Sequence, residues 1–200
     1  MTEQELIWAA QRGDDVAFEE LVRQYEKRVY HLALRMCGDQ EDAMEVAQEA
    51  FLSIWRGLKF FRGESSFSTW VYRLTSNAAI DYLRRQNRQT ALEGASLDDE
   101  DAGLEPRDPA PTPHQAAEQK ELSEQLQAGL MALSADHRQV LLLRELHGLS
   151  YEEIAGELEL DLGTVKSRIA RGREKLRKIL LASGNFSRWA SSNQAEKERS

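Results

Sequence analysis

Apolar residues recur at intervals of three and four along most of the chain, a pattern that predicts amphipathic helices. The first strong run spans 16–37, with Asp14 or Asp15 placed to cap its start and Gly38 placed to end it. Two further runs, at 40–57 and 67–88, predict two more helices. No stretch alternates convincingly between apolar and polar positions, so no sheet is expected.

The C-terminal part of the chain carries the same helical pattern in shorter pieces. It predicts a helix near 115–132 and a second one that begins at Ser134. Ser150 and Glu153 then form a capping-box pattern that opens a short helix. A last helix is predicted at about 163–181.

A break in this pattern divides the chain. All four prolines lie within 106–113, in an acidic stretch with few large apolar residues, so this stretch can neither form a helix nor bury a core. We therefore predict a flexible linker at 91–113 between domains at 1–90 and 114–183, with a tail at 184–200. The expected fold class is all-α: two small helical domains joined by a flexible, acidic, proline-containing linker.

Composition narrows the location and the chemistry. The 200 residues are 41% apolar and 30% charged, with no apolar run near membrane-spanning length, so direct membrane insertion is not expected. The acidic N-terminus lacks the features of a signal peptide, which favours a cytoplasmic protein. The lone cysteine, Cys37, excludes an intramolecular disulfide and a cysteine-based zinc site. It is interpreted as a small buried side chain, with a redox sensor as the alternative.

The distribution of charge points to nucleic acid, although the total does not. A net charge of −8 argues against phosphate binding. However, 53–90 holds seven basic and two acidic side chains, and 164–178 holds seven and one. Two compact basic blocks therefore lie in an acidic chain.

The second basic block belongs to a helix-turn-helix pattern. A short helix with Ile154, Ala155 and Leu158 on its buried face is followed by a turn and a helix with a basic exposed face. In this motif the second helix enters the major groove of DNA by its N-terminal end. The alternative is a solvated amphipathic helix. The residues predicted to contact DNA here are Thr164, Lys166, Ser167, Arg168, Arg171 and Lys175.

Two segments resemble one protein family. The segment SYEEIAGELELDLGTVKSRIARGREKLRK resembles the promoter-reading helix-turn-helix of sigma factors. The segment EDAMEVAQEAFLSIWRGLKFFRGESSFSTWVYRLTSNAAIDYLRRQNR resembles the central domain of extracytoplasmic-function (ECF) sigma factors. The resemblance implies a non-catalytic protein that binds core RNA polymerase and promoter DNA under the control of an anti-sigma factor. It implies no cofactor, metal or small-molecule substrate, and a cytoplasmic location that such an anti-sigma factor can shift to the inner membrane face.

The resemblance also assigns a surface for the polymerase. It implies that one helix docks on the coiled coil of the largest polymerase subunit, and that the polymerase flap is a further contact. A solvated acidic face is the alternative for any single acidic residue. The residues assigned to polymerase binding are Glu41, Asp42, Glu45, Gln48, Glu49 and Trp55.

The first basic block resembles the part of the family that reads and melts the −10 element, where a loop captures a flipped base. Trp70 and Tyr72 could stack at the melted junction, but Trp70 is expected in the core, as is Phe67. The residues assigned to this element are Arg62, Gly63, Glu64, Ser65 and Ser66 of the loop, and Arg73, Asn77, Arg84 and Arg85 of the following helix. In the −35 motif, Glu159 replaces a common glycine, and the small Ala170 leaves its own base readout in doubt.

Two other classes of function compete with this interpretation. A stand-alone helix-turn-helix regulator would share the last helices but would not need the block at 41–88. A metal-dependent phosphodiesterase would use the acidic cluster at 41–49, but the four histidines are scattered and no known catalytic motif is present. A further hypothesis concerns the isolated protein: a slack linker lets the domains pack together and hide both basic faces.

Overall fold

The computed structural model describes residues 1–93 and 113–182, and within these two ranges all regular structure is helical. The all-α prediction is therefore confirmed for the part of the chain that is described. In chain order the helices are α1 (Glu3–Gln11), α2 (Asp15–Cys37), α3 (Gln40–Leu58), α4 (Phe67–Glu93), α5 (Pro113–Met131), α6 (Ala135–Glu145), α7 (Tyr151–Leu158) and α8 (Leu162–Ala182).

The ends of α2 and the start of α3 follow from local polar residues. The Asp14 carboxylate accepts a hydrogen bond from the Ala17 amide at 3.1 Å, which caps the start of α2 as predicted. Gly38 ends the helix with φ of 92°, a left-handed conformation that favours glycine. Asp39 then caps α3 by accepting bonds from two amides of its first turn.

Helix α1 was not predicted from the apolar pattern. It is nine residues long and buries only Leu6, Ile7 and Ala10, too few to define a period. The sequence feature that could have revealed this helix is a capping box. The Thr2 hydroxyl accepts from the Glu5 amide, and the Glu5 carboxylate accepts from the Thr2 amide. Packing of the buried face against α2 stabilises this short helix.

The helices that flank the predicted linker reach into it. Helix α4 continues to Glu93, five residues past the predicted end at 88, and α5 begins at Pro113. Proline suits the first position of a helix because the amide of that position has no partner within the helix. The remaining linker positions, 94–112, and the tail at 184–200 lie outside the described residues, so the domain limits stay a prediction.

The first helical unit is centred on α2, which packs against α1, α3 and α4. Val29, Leu32 and Met36 on α2 are completely buried. Phe67 and Trp70 at the start of α4 retain 5% and 7% exposure, so their expected place in the core is confirmed.

The second helical unit packs α6 against α7 and α8. Val140 and Leu143 of α6 meet Ile154 of α7 and Ile169 of α8 in its core, and all four are 0–1% exposed. The capping box predicted at the start of α7 is present, with Ser150 and the Glu153 side chain each satisfying the other's backbone amide.

The two units pack against each other, with α2 touching α5 and α6, and α4 touching α6 and α7. The buried side chain of Gln127 on α5 donates to the Leu34 carbonyl at 3.2 Å and accepts from Arg35 at 3.0 Å. Nearby Cys37 is 9% exposed, and burial raises the pKa of its thiol to about 12. The interpretation of Cys37 as a small buried side chain is confirmed.

Candidate nucleic-acid interface

The loop between α3 and α4 is supported from outside. The side-chain nitrogen Nε2 of Gln11, at the end of α1, donates to the carbonyl oxygens of Leu58 at 3.0 Å and Phe61 at 2.9 Å. The Leu58 carbonyl also accepts from the Phe61 amide at 3.0 Å, so Gln11 adds a second donor at the end of α3 and ties the start of the loop to α1. Gly63, with φ of 73°, makes the turn of the loop. Sequence reasoning missed Gln11, because no local pattern links positions that lie so far apart.

The loop has an aromatic floor and a polar rim. The ring centres of Phe61, Phe67 and Trp70 lie 5.1–5.7 Å apart. Arg62 and Glu64 project as exposed side chains above them. Phe67 and Trp70 are buried, so Phe61, which is partly exposed beside Arg62 and Glu64, is the most accessible ring of this cluster.

The two serines predicted in this loop have different surroundings. Ser66 Oγ accepts from the Thr69 amide at 3.0 Å and also bonds the hydroxyls of Ser68 and Thr69, so it caps the start of α4. Ser65 is partly exposed at the side of a groove that runs along the loop. The position of Ser65 suits ligand contact, whereas the Ser66 hydroxyl is occupied by the cap.

The basic face of α4 divides into a half that meets the second unit and a half that faces solvent. In the first half, Tyr72 is 6% exposed and its ring stacks on His147 at 3.8 Å. Asn77 Oδ1 accepts from Gln139 at 3.0 Å. Arg73 Nε lies 2.9 Å from a Glu157 carboxylate oxygen but lacks the geometry of a hydrogen bond.

The solvent-facing half of α4 presents its cations openly. Arg84, Arg85 and Arg88 are all exposed. Arg84 makes a 3.6 Å ion pair with Asp81 that is itself exposed, and such a pair contributes little to stability. A phosphate backbone can therefore replace it at small cost.

The helix-turn-helix is formed by α7 and α8, and Asp161 caps its second helix. The Asp161 carboxylate accepts from the Thr164 amide at 2.8 Å and from the Thr164 hydroxyl, and these bonds lower the pKa of Asp161. Thr164 thus uses its hydroxyl within the turn. Glu159 ends α7 in the left-handed conformation, with φ of 53°, where the family pattern often has glycine.

Three of the six predicted contacts on α8 are openly exposed. Lys166, Arg171 and Lys175 are exposed, and Ser167 donates to the Thr164 carbonyl at 3.0 Å. Arg168 is half-buried and pairs with Asp136 of α6 at 3.4 Å. The face of α8 that would enter a groove of DNA is accordingly open, while Arg168 ties α8 to α6.

The acidic helix α3 presents a mixed face of carboxylates and apolar groups. Asp42 accepts a hydrogen bond from Tyr82, and burial together with this bond raises the pKa of Tyr82 to about 12. Asp42 therefore stabilises the contact of α3 with α4, and Glu49 is half-buried. The exposed stripe, at spacings of three and four, consists of Glu41, Met44, Glu45, Gln48, Leu52 and Trp55.

Sequence reasoning missed Met44 and Leu52 in this stripe. They are 55% and 47% exposed, and Trp55 is 40% exposed while its ring rests on Phe18 at 4.6 Å. Large apolar side chains exposed in a row are more typical of a protein-binding surface than of a solvated face. The available signal was their spacing from Glu41 and Glu45 on the same helix.

Residues 1–93 and 113–182 contain neither a candidate metal site nor a candidate membrane span. No group of three or more histidine, cysteine, aspartate or glutamate side chains converges there in a way that could hold a metal ion. In the same ranges, no helix is both long enough and apolar enough to span a membrane.

The structure is a helical protein with a basic surface on each of its two units, and family models match both units. The chain matches the family model of Sigma-70 region 2 over residues 21–89 and that of Sigma-70, region 4 over residues 123–176.

Curated relatives cover nearly the whole chain. The RNA polymerase sigma-H factor of Pseudomonas aeruginosa is 37% identical over 89% of this chain and 93% of its own length. The ECF RNA polymerase sigma-E factor of Escherichia coli is 38% identical over 88% of this chain and 93% of its own length. The chain belongs to the ECF family of RNA polymerase sigma factors.

Solved structures share the fold. The sigma factor RpoE in complex with the anti-sigma factor NepR from Bartonella quintana has a TM-score of 0.66 at 21% identity, covering 82% of this chain and 96% of that chain. CnrH in complex with the cytosolic domain of CnrY has a TM-score of 0.59 at 24% identity, covering 90% and 97%.

Proposed function

We propose that this chain is a non-catalytic initiation factor of the cytoplasm that binds core RNA polymerase and directs it to promoters. The loop at 61–66 and the arginines of α4 read the −10 element, and α8 reads the −35 element. The observation that carries this proposal is the pair of basic surfaces, one on each helical unit, within the two matched sigma regions.

The exposed stripe of α3 provides the polymerase-binding part of the proposal. It combines carboxylates with Leu52 and Trp55, and a partner with a basic and partly apolar surface would complement it. A coiled coil of the largest polymerase subunit is the partner that the family resemblance implies, with the flap as a contact for the second unit. Relatives solved with anti-sigma factors support the same kind of control here.

Run-off transcription with core polymerase on a library of genomic fragments tests the function and returns the promoter motif. Arg171→Ala should weaken use of the −35 element, and Asn77→Ala should impair use or melting of the −10 element. Arg23→Ala is the matched control, because Arg23 is exposed on α2 and pairs only with Glu19 and Glu20 among the described residues. Unchanged promoter choice in both test variants would contradict the site assignments.

A pull-down with core polymerase distinguishes a sigma factor from the leading alternative, a stand-alone helix-turn-helix regulator. Retention of the chain, lost on Leu52→Glu, is expected of a sigma factor. Sequence-specific duplex binding without any retention by polymerase would instead identify a stand-alone helix-turn-helix regulator.

A further inference from the structure

A groove of about 730 Å³ separates the −10 loop from helix α7. One wall carries Arg62 and Arg73, together with the carboxylate of Glu64. The facing wall carries three carboxylates on α7, namely those of Glu152, Glu153 and Glu157. A cationic surface that faces a row of carboxylates meets the same kind of charge that a nucleic-acid backbone would bring.

An ion pair with Glu157 occupies Arg73, one of the cations of α4. Arg73 and Glu157 lie 2.9 Å apart, and their side chains are 29% and 13% exposed. An ion pair this far from solvent is screened less by salt than a surface pair. While it persists, Arg73 is unavailable to a phosphate.

Two more contacts engage the other chemical features of the same face. The ring of Tyr72 is covered by His147 at 3.8 Å, in the geometry in which a base would stack. Gln139 donates to Asn77 Oδ1 at 3.0 Å and lies 3.1 Å from Ser76 Oγ. A cation, an aromatic face and an amide of α4 are therefore all satisfied by the second unit.

We propose that α7 and the adjoining end of α6 form an internal substitute for the −10 strand, so that the chain binds its own −10 reading surface until promoter DNA displaces them. The carboxylate of Glu157 takes the place of a phosphate, His147 that of a base and Gln139 that of a base edge. This inference rests on the proposed role of the loop and α4 in reading the −10 element.

The masking applies to one of the two DNA-reading surfaces. Lys166, Arg171 and Lys175 of α8 remain exposed in the packed arrangement. The earlier hypothesis that packing of the domains hides both basic faces thus differs from the structure. The isolated chain should bind a −35 duplex, and it should bind a −10 single strand only weakly.

Fluorescence anisotropy of the full-length chain tests this directly. The probe is a fluorescein-labelled single strand with the −10 sequence of a promoter recovered by run-off transcription. Glu157→Gln should tighten binding of this strand by about threefold to tenfold, because a weaker closed state raises the binding-competent fraction. Binding of a −35 duplex should not change.

The matched control is Glu145→Gln, which makes the same charge change in an ion pair with Arg173 inside the second unit. It should leave strand binding as in the wild type. Gln139→Ala is a second test variant that acts through a different contact and should also tighten strand binding. The inference is overturned if neither Glu157→Gln nor Gln139→Ala tightens binding, or if Glu145→Gln tightens it equally.

Arg85→Ala distinguishes this failure from failure of the proposed function. Arg85 is exposed on α4 outside the contact with the second unit, so its loss should weaken strand binding whether or not α7 masks the surface. Weaker binding by Arg85→Ala with no gain from Glu157→Gln rejects only the masking by α7. No effect of Arg85→Ala, together with unchanged promoter choice, rejects the −10 assignment and the inference that rests on it.

Discussion

Gln11 shows how one side chain can set the position of a distant loop. Its side-chain amide donates to the carbonyl of Leu58, the last residue of α3, which also accepts from the Phe61 amide, and to the carbonyl of Phe61 in the loop. We expect Gln11→Ala to lower the free energy of unfolding by about 1 kcal/mol, because the part-buried Phe61 carbonyl loses its side-chain donor while the Leu58 carbonyl keeps its bond from the Phe61 amide. Urea unfolding measures this change, and run-off transcription should show weaker use of the −10 element.

The control for this prediction is Gln4→Ala, an exposed glutamine of the same helix. It removes the same side chain from α1 without touching the loop. Equal losses of stability and of −10 use in both variants would show that Gln11 acts only through the helix.

His147 is the residue at which acid should weaken the contact between the units. Burial, with a smaller effect of Arg28, lowers the pKa of His147 to about 4. A group whose pKa is lowered on folding binds a proton more weakly when folded, so its protonation opposes the packed arrangement. The contribution of neutral His147 to the stability of the packed arrangement is fully present above the unfolded pKa of about 6.5. It declines as the pH falls from there towards 4.

Small-angle scattering at pH 7.5 and pH 5 measures this effect as an increase in radius of gyration at the lower pH. After allowance for the partial exposure of His147, the packed arrangement should be about 1 kcal/mol less stable at pH 5 than at pH 7.5. His147→Phe keeps an aromatic ring against Tyr72 but cannot titrate, so its radius should not respond to pH over this range. An equal response in the variant would assign the change to other groups.

At the scale of elements, the turn between α7 and α8 contains a residue in an unfavourable conformation. Glu159 adopts φ of 53°, the region in which a β-carbon is disfavoured. Glu159→Gly should raise the free energy of unfolding by about 1 kcal/mol, since glycine adopts this conformation without steric cost. Thermal unfolding provides the measurement.

Glu159→Ala separates conformation from charge in this prediction. It removes the carboxylate but keeps the β-carbon, so it should not give the increase expected of glycine. A similar increase in both variants would trace the effect to charge instead. The helix-turn-helix therefore tolerates a strained turn because the buried faces of α7 and α8 hold it.

At the scale of the whole molecule, Arg138 joins the ends of two helices from different units. Its buried guanidinium donates to the carbonyls of Leu130 at 2.9 Å, Met131 at 3.1 Å and Leu133 at 3.1 Å, and also to that of Met36. Burial lowers the pKa of Arg138. The guanidinium thus satisfies carbonyls at the end of α5 and one near the end of α2.

Arg138→Met should lower the free energy of unfolding by about 2–4 kcal/mol, because several buried carbonyls lose a charged donor. Urea unfolding measures the loss, and scattering should detect separation of the units. Arg168→Met is the control: its ion pair with half-exposed Asp136 should contribute less than about 1 kcal/mol. Equal losses in the two variants would contradict the role of Arg138.

The helices could be predicted from local signals wherever the apolar period was long or a cap was present. Asp14 and the pair Ser150–Glu153 mark predicted helix starts that the structure confirms. Helix α1 was missed because nine residues with three buried positions give no period. The far end of α4 was placed too early, because its last residues lack the apolar face on which the prediction relied.

The candidate site could be predicted only as chemistry spread along the chain. Its basic blocks, aromatic loop and acidic helix can all be read from residue types and spacing. However, the partners of Asp42, Arg73 and Arg168 could not be predicted, since each depends on which surfaces meet, whereas Ser66 caps α4 through a local bond that was not recognised. The partners of the first three lie on other helices, and sequence periodicity carries no information about contacts between elements.

The sequence by itself determined the helical class, the two basic surfaces and the family, because periodicity, charge and motif spacing are local properties that survive in an unfolded chain. Only the tertiary structure decided that Tyr72, Arg73 and Asn77 meet His147, Glu157 and Gln139, while the basic face of α8 stays open. The reason is physical: complementary charge and shape gain energy only when packing brings them within contact distance, and the relative placement of two packed units is not encoded in any single segment.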